Sequence, residues 1–260
     1  MSTENFKEQL TEYFDQFRRT LADEEGDWVI KGFIDVYKNI YTISLDTKVV
    51  SKVIELMLFP VLSRFAAEHD YKMVLSEHQN HYPDITFIMP DGSKIALDIK
   101  STYLTSSTRA NGFTLGAFTG YFRKRDTSKN VTFPYGQYAT HFVLGIIYGR
   151  TSETVDEKKV FGLDELTDIS SVLKDFNFLL QEKWRLASTR PGSGNTKNIG
   201  SVTGLEDLIH GRGPFSEHGE TVFDDYWMNY LTRDMARAIE SAVPYRNFEE
   251  YLAWRERGRV

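Results

Sequence analysis

A tight turn between two apolar runs is the feature that most constrains the fold of this chain. The runs are residues 85–89 and 93–100, and a Pro-Asp-Gly sequence separates them. Two β-favouring runs around such a turn predict an antiparallel hairpin. Apolar residues alternate with Asp98 and Lys100 in the second run, so these two side chains should share one face. Asp84 begins the first run, where the hairpin would bring its carboxylate near Asp98.

Two carboxylates and an ammonium at one point indicate phosphate chemistry. Carboxylate oxygens bind hard divalent cations, which favours Mg²⁺ over zinc, and such a cation can assist attack of water on a phosphate. Asp84, Asp98 and Lys100 are each of a type common in turns and exposed ion pairs. The combination of all three in the two strands of one hairpin is a more specific signal, and it is typical of the PD-(D/E)xK nucleases. His81 is more simply explained as a packed or hydrogen-bonded side chain.

The composition narrows the class of protein. A chain of 260 residues with 41% hydrophobic and 26% charged residues can bury the core of a globular protein. It has no cysteine, no apolar run that could cross a bilayer and no secretory signal at its start, so we expect a cytoplasmic protein without membrane contact. The net charge of −6 argues against DNA binding. Basic residues nevertheless cluster at 123–129 and 183–197, so one positive face could form.

Periodicity predicts helices and strands in one α/β chain. Asp46 or Thr47 should begin a helix that Pro60 kinks or ends. Glu55, inside this helix, reads as a solvated residue when periodicity alone is considered. Other helices are expected at 4–21, 163–173, 222–242 and 248–257, strands within 28–44, 142–148 and 176–186, and a loop at 101–120.

Residues 192–201 form a glycine-rich segment with two interpretations. The segment lacks the Gly-Lys-Ser/Thr ending of a P-loop, so nucleotide binding is rejected. Short amide and hydroxyl side chains on an exposed loop can reach base edges, and asparagine pairs with adenine through two hydrogen bonds. A flexible surface loop without function is the alternative.

Several segments together resemble the EcoRV family of type II restriction endonucleases, within the PD-(D/E)xK nucleases. The resemblance stays in register from about residue 46 onward. It rests on residues 44–48, 79–84, 98–100, 113–116, 180–184, 192–196, 198–201 and 225–227.

The resemblance implies an α/β fold with a mixed sheet, flanking helices and an N-terminal dimerisation subdomain. Residues 1–260 would form one domain, of which about 1–45 contribute to the dimer interface and about 46–260 form the catalytic and DNA-recognition core. The implied activity is Mg²⁺-dependent cleavage of double-stranded DNA by a homodimer, with Mn²⁺ able to substitute. The target would be GATATC, cut bluntly at its centre to leave 5′-phosphate and 3′-hydroxyl ends. A DNA methyltransferase would protect the host.

The resemblance also implies roles for individual residues. Asp84, Asp98 and Glu55 would bind metal, Lys100 would orient the attacking water, and Lys48 would contact the DNA backbone near the active site. The residues implied in DNA binding are Gly192, Ser193, Gly194, Asn195 and Thr196 in a recognition loop, Lys197 beside it, Gln79 and Asn80 on the minor-groove side, Lys129 on a phosphate, and Ser101 after the catalytic lysine.

The chain departs from the family at three positions among or beside these residues. His78 stands where the family has glutamine, Lys197 where it has threonine, and Ser101 where it has threonine. None of these changes removes a catalytic group, and Lys197 should add a phosphate contact.

Two other functions remain open from the sequence. A structure-specific PD-(D/E)xK repair nuclease would share the metal site but lack a base-reading loop. A non-catalytic DNA-binding protein would carry a degenerate site, and the intact Asp84, Asp98 and Lys100 argue against it.

Overall fold

A mixed β-sheet flanked by helices organises the protein. The computed structural model describes residues 3–78, 80–152, 155–192 and 197–258. The strands are β1 (Gly32–Ile34), β2 (Ile40–Thr42), β3 (Lys72–Leu75), β4 (Ile85–Ile88), β5 (Lys94–Ser106), β6 (Arg109–Ala110), β7 (Thr114–Ala117), β8 (Tyr138–Arg150), β9 (Val160–Phe161), β10 (Leu173–Glu182), β11 (Ala187–Pro191) and β12 (Asn198–Ser201). The α-helices are α1 (Thr3–Thr11), α2 (Phe14–Leu21), α3 (Thr47–Glu68), α4 (Lys183–Leu186), α5 (Leu205–His210), α6 (Glu220–Asn229), α7 (Arg233–Ala238) and α8 (Phe248–Glu256).

The central sheet has the strand order β10-β8-β5-β4-β3, with β6 paired to the end of β5. Strands β5 and β8 pair in parallel, and the other neighbours are antiparallel. The α/β fold with a mixed sheet and flanking helices is therefore confirmed. The apolar run at 142–148 lies within β8, between β5 and β10, so the strand predicted there is also confirmed.

The predicted hairpin is present as β4 and β5. Ile88 lies opposite Lys94, and Ile85 lies opposite Leu97. Continuing this antiparallel register by one residue brings Asp84 opposite Asp98. The hairpin thus aligns the two carboxylates by backbone pairing alone.

Two hydrophobic cores lie on the two faces of the sheet. Along β5, Ile95, Leu97 and Ile99 join one core with helices α1, α2 and α3. Ala96 faces the other core, which contains residues of β7, β12, α5, α6 and α8. Asp98 alternates with the isoleucines and leucine, so it points toward the second core, where it is 5% exposed.

Helix α3 begins at a side-chain cap. The carboxylate of Asp46 accepts hydrogen bonds from the backbone N–H groups of Lys48 and Val49, at 2.9 and 3.2 Å. Pro60 lies inside this helix and does not end it, because α3 continues to Glu68. The cap therefore sets the start of the helix that carries Lys48 and Glu55.

Replacing Asp46 with alanine is expected to lower the free energy of unfolding by about 1 kcal/mol, because two N–H groups lose their acceptor. Asp46→Asn retains an oxygen acceptor and should lose less. Urea unfolding of both variants checks this. Equal destabilisation by alanine and asparagine would contradict the capping role.

Other predictions are wrong or only partly correct. The stretch at 101–120 is not a loop, since it contains the end of β5 and all of β6 and β7. The helix expected at 163–173 is reduced to a 3₁₀ turn at Leu163–Asp168, after which β10 begins. The helix expected at 4–21 is divided into α1 and α2, and the one at 222–242 into α6 and α7. The strand expected within 176–186, in contrast, is confirmed as part of β10, which ends at Glu182.

A small sheet of order β1-β2-β9 stands apart from the central one. Its strands and flanking turns expose many apolar side chains, namely Phe33, Ile34, Val36, Tyr37, Tyr41, Val160, Leu163 and Leu166. Helices α1 and α2, in contrast, bury their apolar stripe in the first core. Within the described ranges no helix is long and apolar enough to span a bilayer.

Candidate active site

The side chains of Asp84, Asp98 and Lys100 meet at the open end of the hairpin. The ammonium of Lys100 lies 3.0 Å from a carboxylate oxygen of Asp98 and 3.4 Å from Oδ2 of Asp84. Oδ2 of Asp84 also accepts a hydrogen bond of 2.8 Å from the backbone N–H of Ile99. The structure thus brings together the three residues on which the sequence-based site depends.

Burial and mutual repulsion shape the electrostatics of this cluster. Burial raises the pKa of Asp84 to about 6; the Lys100 charge opposes this shift, and the negative charges of Asp98 and Glu55 add to it. Burial alone would lower the pKa of Lys100, but attraction to Asp98 and Asp84 outweighs burial and raises that pKa above its ordinary value. Lys100 is therefore a permanent positive charge, whereas Asp84 takes up a proton in mildly acidic solution.

An open cleft of about 450 Å³ gives access to the cluster. Lys48, Glu55 and Ser101 line it together with Asp84 and Lys100, as the sequence-based site requires. The hydroxyl of Ser101 lies 2.7 Å from that of Ser51, which connects β5 to helix α3.

The oxygen ligands of the cleft fit Mg²⁺. This ion keeps several of its waters and is commonly held by one or two carboxylates, so Asp84 and Asp98 suffice as its protein ligands. Glu55 forms an ion pair of 2.7 Å with Lys52. No group of three or more histidine, cysteine, aspartate or glutamate side chains suited to hold a metal occurs in the part of the chain that the structure describes. Glu55 as a further metal ligand stays a prediction.

A second, larger cleft adjoins the first. Its volume is about 770 Å³, and residues 111–114 line both clefts. Gly192, at the end of β11, lines the second cleft beside Gly200 of β12. The backbone passes closely there, since a side chain at Gly200 would begin 3.0 Å from the carbonyl oxygen of Arg190. Arg109 and Arg190 add positive charge to the lining.

The remaining residues of the sequence-based site lie outside the first cleft. Asn80, Lys129 and Lys197 are exposed on turns. The carbonyl oxygen of Lys197 accepts a hydrogen bond of 3.0 Å from the N–H of Phe118. Gln79, Ser193, Gly194, Asn195 and Thr196 lie outside the described residues.

Sequence reasoning missed three residues around the site. Lys52 lines the catalytic cleft, and its spacing of three from Glu55 on a helix would have indicated the pairing. Asn111 lines both clefts, but the Asn-Gly sequence indicated only a turn. Lys183 is buried behind the site, and no local pattern predicts that burial.

Replacing Asp84 with asparagine is expected to stabilise the metal-free protein at neutral pH. The pKa of Asp84 is about 6 in the folded protein against an ordinary 3.8, so the folded state binds more protons between these values. Its free energy of unfolding therefore falls as the pH rises through that window. Asparagine does not ionise, so the Asp84→Asn variant does not lose this stability. Its free energy of unfolding should therefore exceed that of the parent protein by an amount that grows from about pH 4 to about pH 6 and then stays level, at about 1–3 kcal/mol.

Denaturant unfolding at several pH values with a chelator measures this advantage. Asp91→Asn is a control of opposite sign, because hydrogen bonds from Ser93 hold the pKa of Asp91 at about 2. That carboxylate stabilises the protein above its unfolded pKa and loses the effect as the pH falls. An Asp84→Asn advantage independent of pH would contradict the raised pKa.

Comparisons with known proteins identify the family of this chain. A sequence profile described as "Restriction endonuclease EcoRV" matches residues 24–256. The chain is 36% identical over 242 residues to "Type II restriction enzyme EcoRV" of Escherichia coli, covering 92% of this chain and 96% of that enzyme. The solved structure of NlaIV restriction endonuclease is 12% identical to this chain, with a TM-score of 0.42. The alignment covers 97% of this chain and 95% of the NlaIV chain. No inference is based on this low similarity. The first two matches cover nearly the whole chain, which therefore belongs to the EcoRV family of type II restriction endonucleases.

Proposed function

We propose that the protein cuts double-stranded DNA at GATATC, bluntly and at the centre, with Mg²⁺ as cofactor. The observation that carries this proposal is the cluster of Asp84, Asp98 and Lys100 at one end of a cleft that continues into a second, arginine-lined cleft. Membership of the EcoRV family argues against a repair nuclease and against a non-catalytic DNA-binding protein.

The proposed chemistry is hydrolysis of a phosphodiester. Asp84 and Asp98 would hold Mg²⁺, or Mn²⁺ in its place, and this ion would supply positive charge at the phosphate and help lower the pKa of water. Lys100 orients the attacking water and stabilises the negative charge that develops at phosphorus. Attack in line with the 3′ oxygen leaves 5′-phosphate and 3′-hydroxyl ends. Lys48, at the cleft, holds the DNA backbone, and Glu55 provides a further metal contact.

Sequence reading is assigned to the segment between β11 and β12. The recognition loop consists of Gly192, Ser193, Gly194, Asn195 and Thr196, and it enters the major groove, where asparagine can read adenine. It begins at the second cleft, and residues 111–114, which line that cleft, also line the first cleft with Asp84 and Lys100. The positions proposed to contact DNA outside the loop are Lys197 and Lys129 on phosphates, Ser101 beside the catalytic lysine, and Gln79 and Asn80 on the minor-groove side.

A twofold-symmetric target calls for a twofold-symmetric enzyme, so we propose a homodimer. The exposed apolar side chains of β1, β2 and β9 suit a contact with a second copy. This contact uses part of residues 1–45, while residues 46–260 form the catalytic and DNA-recognition core of a single domain. The apolar stripe of helices α1 and α2 is buried in the first core and does not form part of this contact.

A host that makes such an enzyme has to protect its own GATATC sites. A DNA methyltransferase of the same specificity is therefore the proposed partner in the cell. Both proteins would act on DNA in the cytoplasm.

Digestion of a plasmid with one GATATC site tests the proposal. Incubation with Mg²⁺, with Mn²⁺ and with a chelator, followed by sequencing of the ends, should reveal one blunt cut only with metal. Metal-dependent cutting at another sequence would overturn the proposed target but support the proposed chemistry. His78→Gln and Lys197→Thr, which restore the residues of the family, would then be the first variants to test. A folded protein that cuts under no condition would overturn the catalytic assignment.

A further inference from the structure

A buried hydrogen bond joins the segment that precedes β4 to strand β8. The hydroxyl of Tyr82 lies 2.9 Å from Nδ1 of His141. Tyr82 is 5% exposed and His141 is 6% exposed. Burial lowers the pKa of His141 well below its ordinary value, so its ring is neutral at neutral pH. Because a buried polar group that loses its partner costs free energy, this hydrogen bond keeps the phenol of Tyr82 in one position.

Aromatic stacking restrains both rings that share the hydrogen bond. The ring of His141 stacks on that of Tyr135, with centroids 3.8 Å apart and 13° between the planes. The ring of Tyr82 stacks on that of Tyr121 at 5.1 Å and on that of Tyr135 at 5.6 Å. The side chain of Tyr82 is therefore fixed at its hydroxyl by His141 and along its ring by two other tyrosines.

The backbone of Tyr82 is fixed as well. Its N–H donates a hydrogen bond of 3.0 Å to the carbonyl oxygen of Asn130, and its carbonyl oxygen accepts one of 2.9 Å from the N–H of Thr132. These bonds form an isolated parallel bridge between Tyr82 and Val131. Tyr82 is thus an anchor point of the chain outside the regular strands.

The catalytic Asp84 lies between this anchor and the sheet. On its far side the chain is fixed again at Ile85, which pairs with Leu97 of β5. Only Pro83 and Asp84 separate the two fixed points, and Pro83 is buried and has a restricted φ. So short a segment leaves the backbone of Asp84 little freedom while both ends hold.

We propose that His141 and Tyr82 are positioning residues that hold the carboxylate of Asp84 where it can bind a divalent cation together with Asp98. The structure places neither side chain in the lining of the first cleft, so both act through Asp84. Residues that orient a metal ligand without contacting the metal contribute to metal affinity, because a displaced ligand binds poorly. This inference rests on the proposed function.

Calorimetric titration of Mn²⁺ into the DNA-free protein at neutral pH tests the proposal. Tyr82→Phe keeps the stacked ring and removes the hydroxyl, so it should bind Mn²⁺ about threefold to tenfold more weakly. His141→Leu removes the partner of that hydroxyl and should have the same effect. His141→Asn places a polar group near the position of Nδ1 and should bind Mn²⁺ nearly as tightly as the parent protein.

Tyr245 offers a matched control. It is also buried, its hydroxyl donates a hydrogen bond to the carbonyl oxygen of Tyr226, and its ring contacts Trp254 of α8. Tyr245→Phe therefore deletes the same chemical group in a core remote in sequence from Asp84. It should lower the melting temperature about as much as Tyr82→Phe does, and it should leave the Mn²⁺ affinity unchanged.

Cleavage of a GATATC duplex adds a readout that a purely structural role would not move. Tyr82→Phe should lower kcat about tenfold, because a ligand displaced by a fraction of an ångström slows the chemical step. Its KM for the duplex should stay close to that of the parent. Unchanged Mn²⁺ affinity in Tyr82→Phe and His141→Leu, a raised KM with the parent kcat, or the failure of both variants to fold would overturn the proposal.

Asp84→Asn separates this inference from the proposed function. In the Asp84→Asn background, Tyr82→Phe should not weaken the remaining Mn²⁺ binding further. Parent-like Mn²⁺ binding by Asp84→Asn would overturn the metal assignment itself. Binding that depends on Asp84 but ignores Tyr82 and His141 would overturn only their positioning role. A parent protein that binds Mn²⁺ through Asp84 but cuts no DNA would overturn the proposed function alone.

Discussion

Asp98→Asn is expected to lower the rate of DNA cleavage by more than about 10³-fold. The substitution removes one of the two carboxylates available to the metal and the 3.0 Å partner of Lys100. Asparagine has nearly the same shape as aspartate, so β5 should keep its pairing with β4 and β8. Single-turnover cleavage of a duplex with one GATATC site measures the loss.

The control for this experiment lies on the same hairpin. Asp91 is in the turn between β4 and β5, where its carboxylate accepts hydrogen bonds from Ser93. Asp91→Asn changes the same chemical group far from the cleft and should cleave at nearly the parent rate. Binding of the GATATC duplex should remain measurable in Asp98→Asn. Rapid metal-dependent cleavage by that variant would remove Asp98 from the active site.

Ile34→Glu is expected to convert the protein into a monomer and to lower its cleavage of GATATC by more than about 10²-fold. Ile34 lies on β1 and is 58% exposed, on the surface proposed to contact the second copy. A glutamate there would be buried in the interface without a partner, at a cost of several kcal/mol per copy. Each half-site would then be held by one subunit alone, and binding would weaken.

Sedimentation at micromolar concentration measures the mass of this variant. Ile239, which follows α7 and is 63% exposed, provides the matched control. Ile239→Glu introduces the same charge on an exposed isoleucine outside the small sheet and should sediment like the parent protein. An Ile34→Glu protein that remains a dimer would move the interface away from β1.

The core of the site was predictable because its geometry is local. Asp84, Asp98 and Lys100 lie within one hairpin, where alternation and a turn determine which side chains share a face. The start of α3 was predictable for the same reason, since Asp46 caps the adjacent backbone. No distant residue is needed for either inference.

Features that depend on distant segments were not predictable. β7 is only four residues long, with the sequence Thr-Leu-Gly-Ala, and becomes a strand by pairing with β12, where Ala117 lies opposite Asn198. The prediction of a loop at 101–120 was therefore wrong, because the pairing of β7 with β12 is a tertiary contact that the local sequence does not reveal. The surroundings of the buried Lys183 likewise come from the rings of Tyr82, Phe122 and Tyr135, which no short sequence pattern connects. Periodicity predicted Glu55 to be a solvated residue, because the spacing of residues on a helix does not reveal the first cleft, which Glu55 lines.

Residues 111–114 limit how the target of such an enzyme can be changed. The backbone N–H of Phe113 donates a 2.7 Å hydrogen bond to the hydroxyl of Ser201, and Phe113 is itself buried. The stem of the proposed recognition loop is therefore fastened to the wall of the first cleft. Exchanging the loop for one that reads other bases would also displace that wall. A new specificity then demands compensating substitutions on the catalytic side, which makes stepwise retargeting of this scaffold costly.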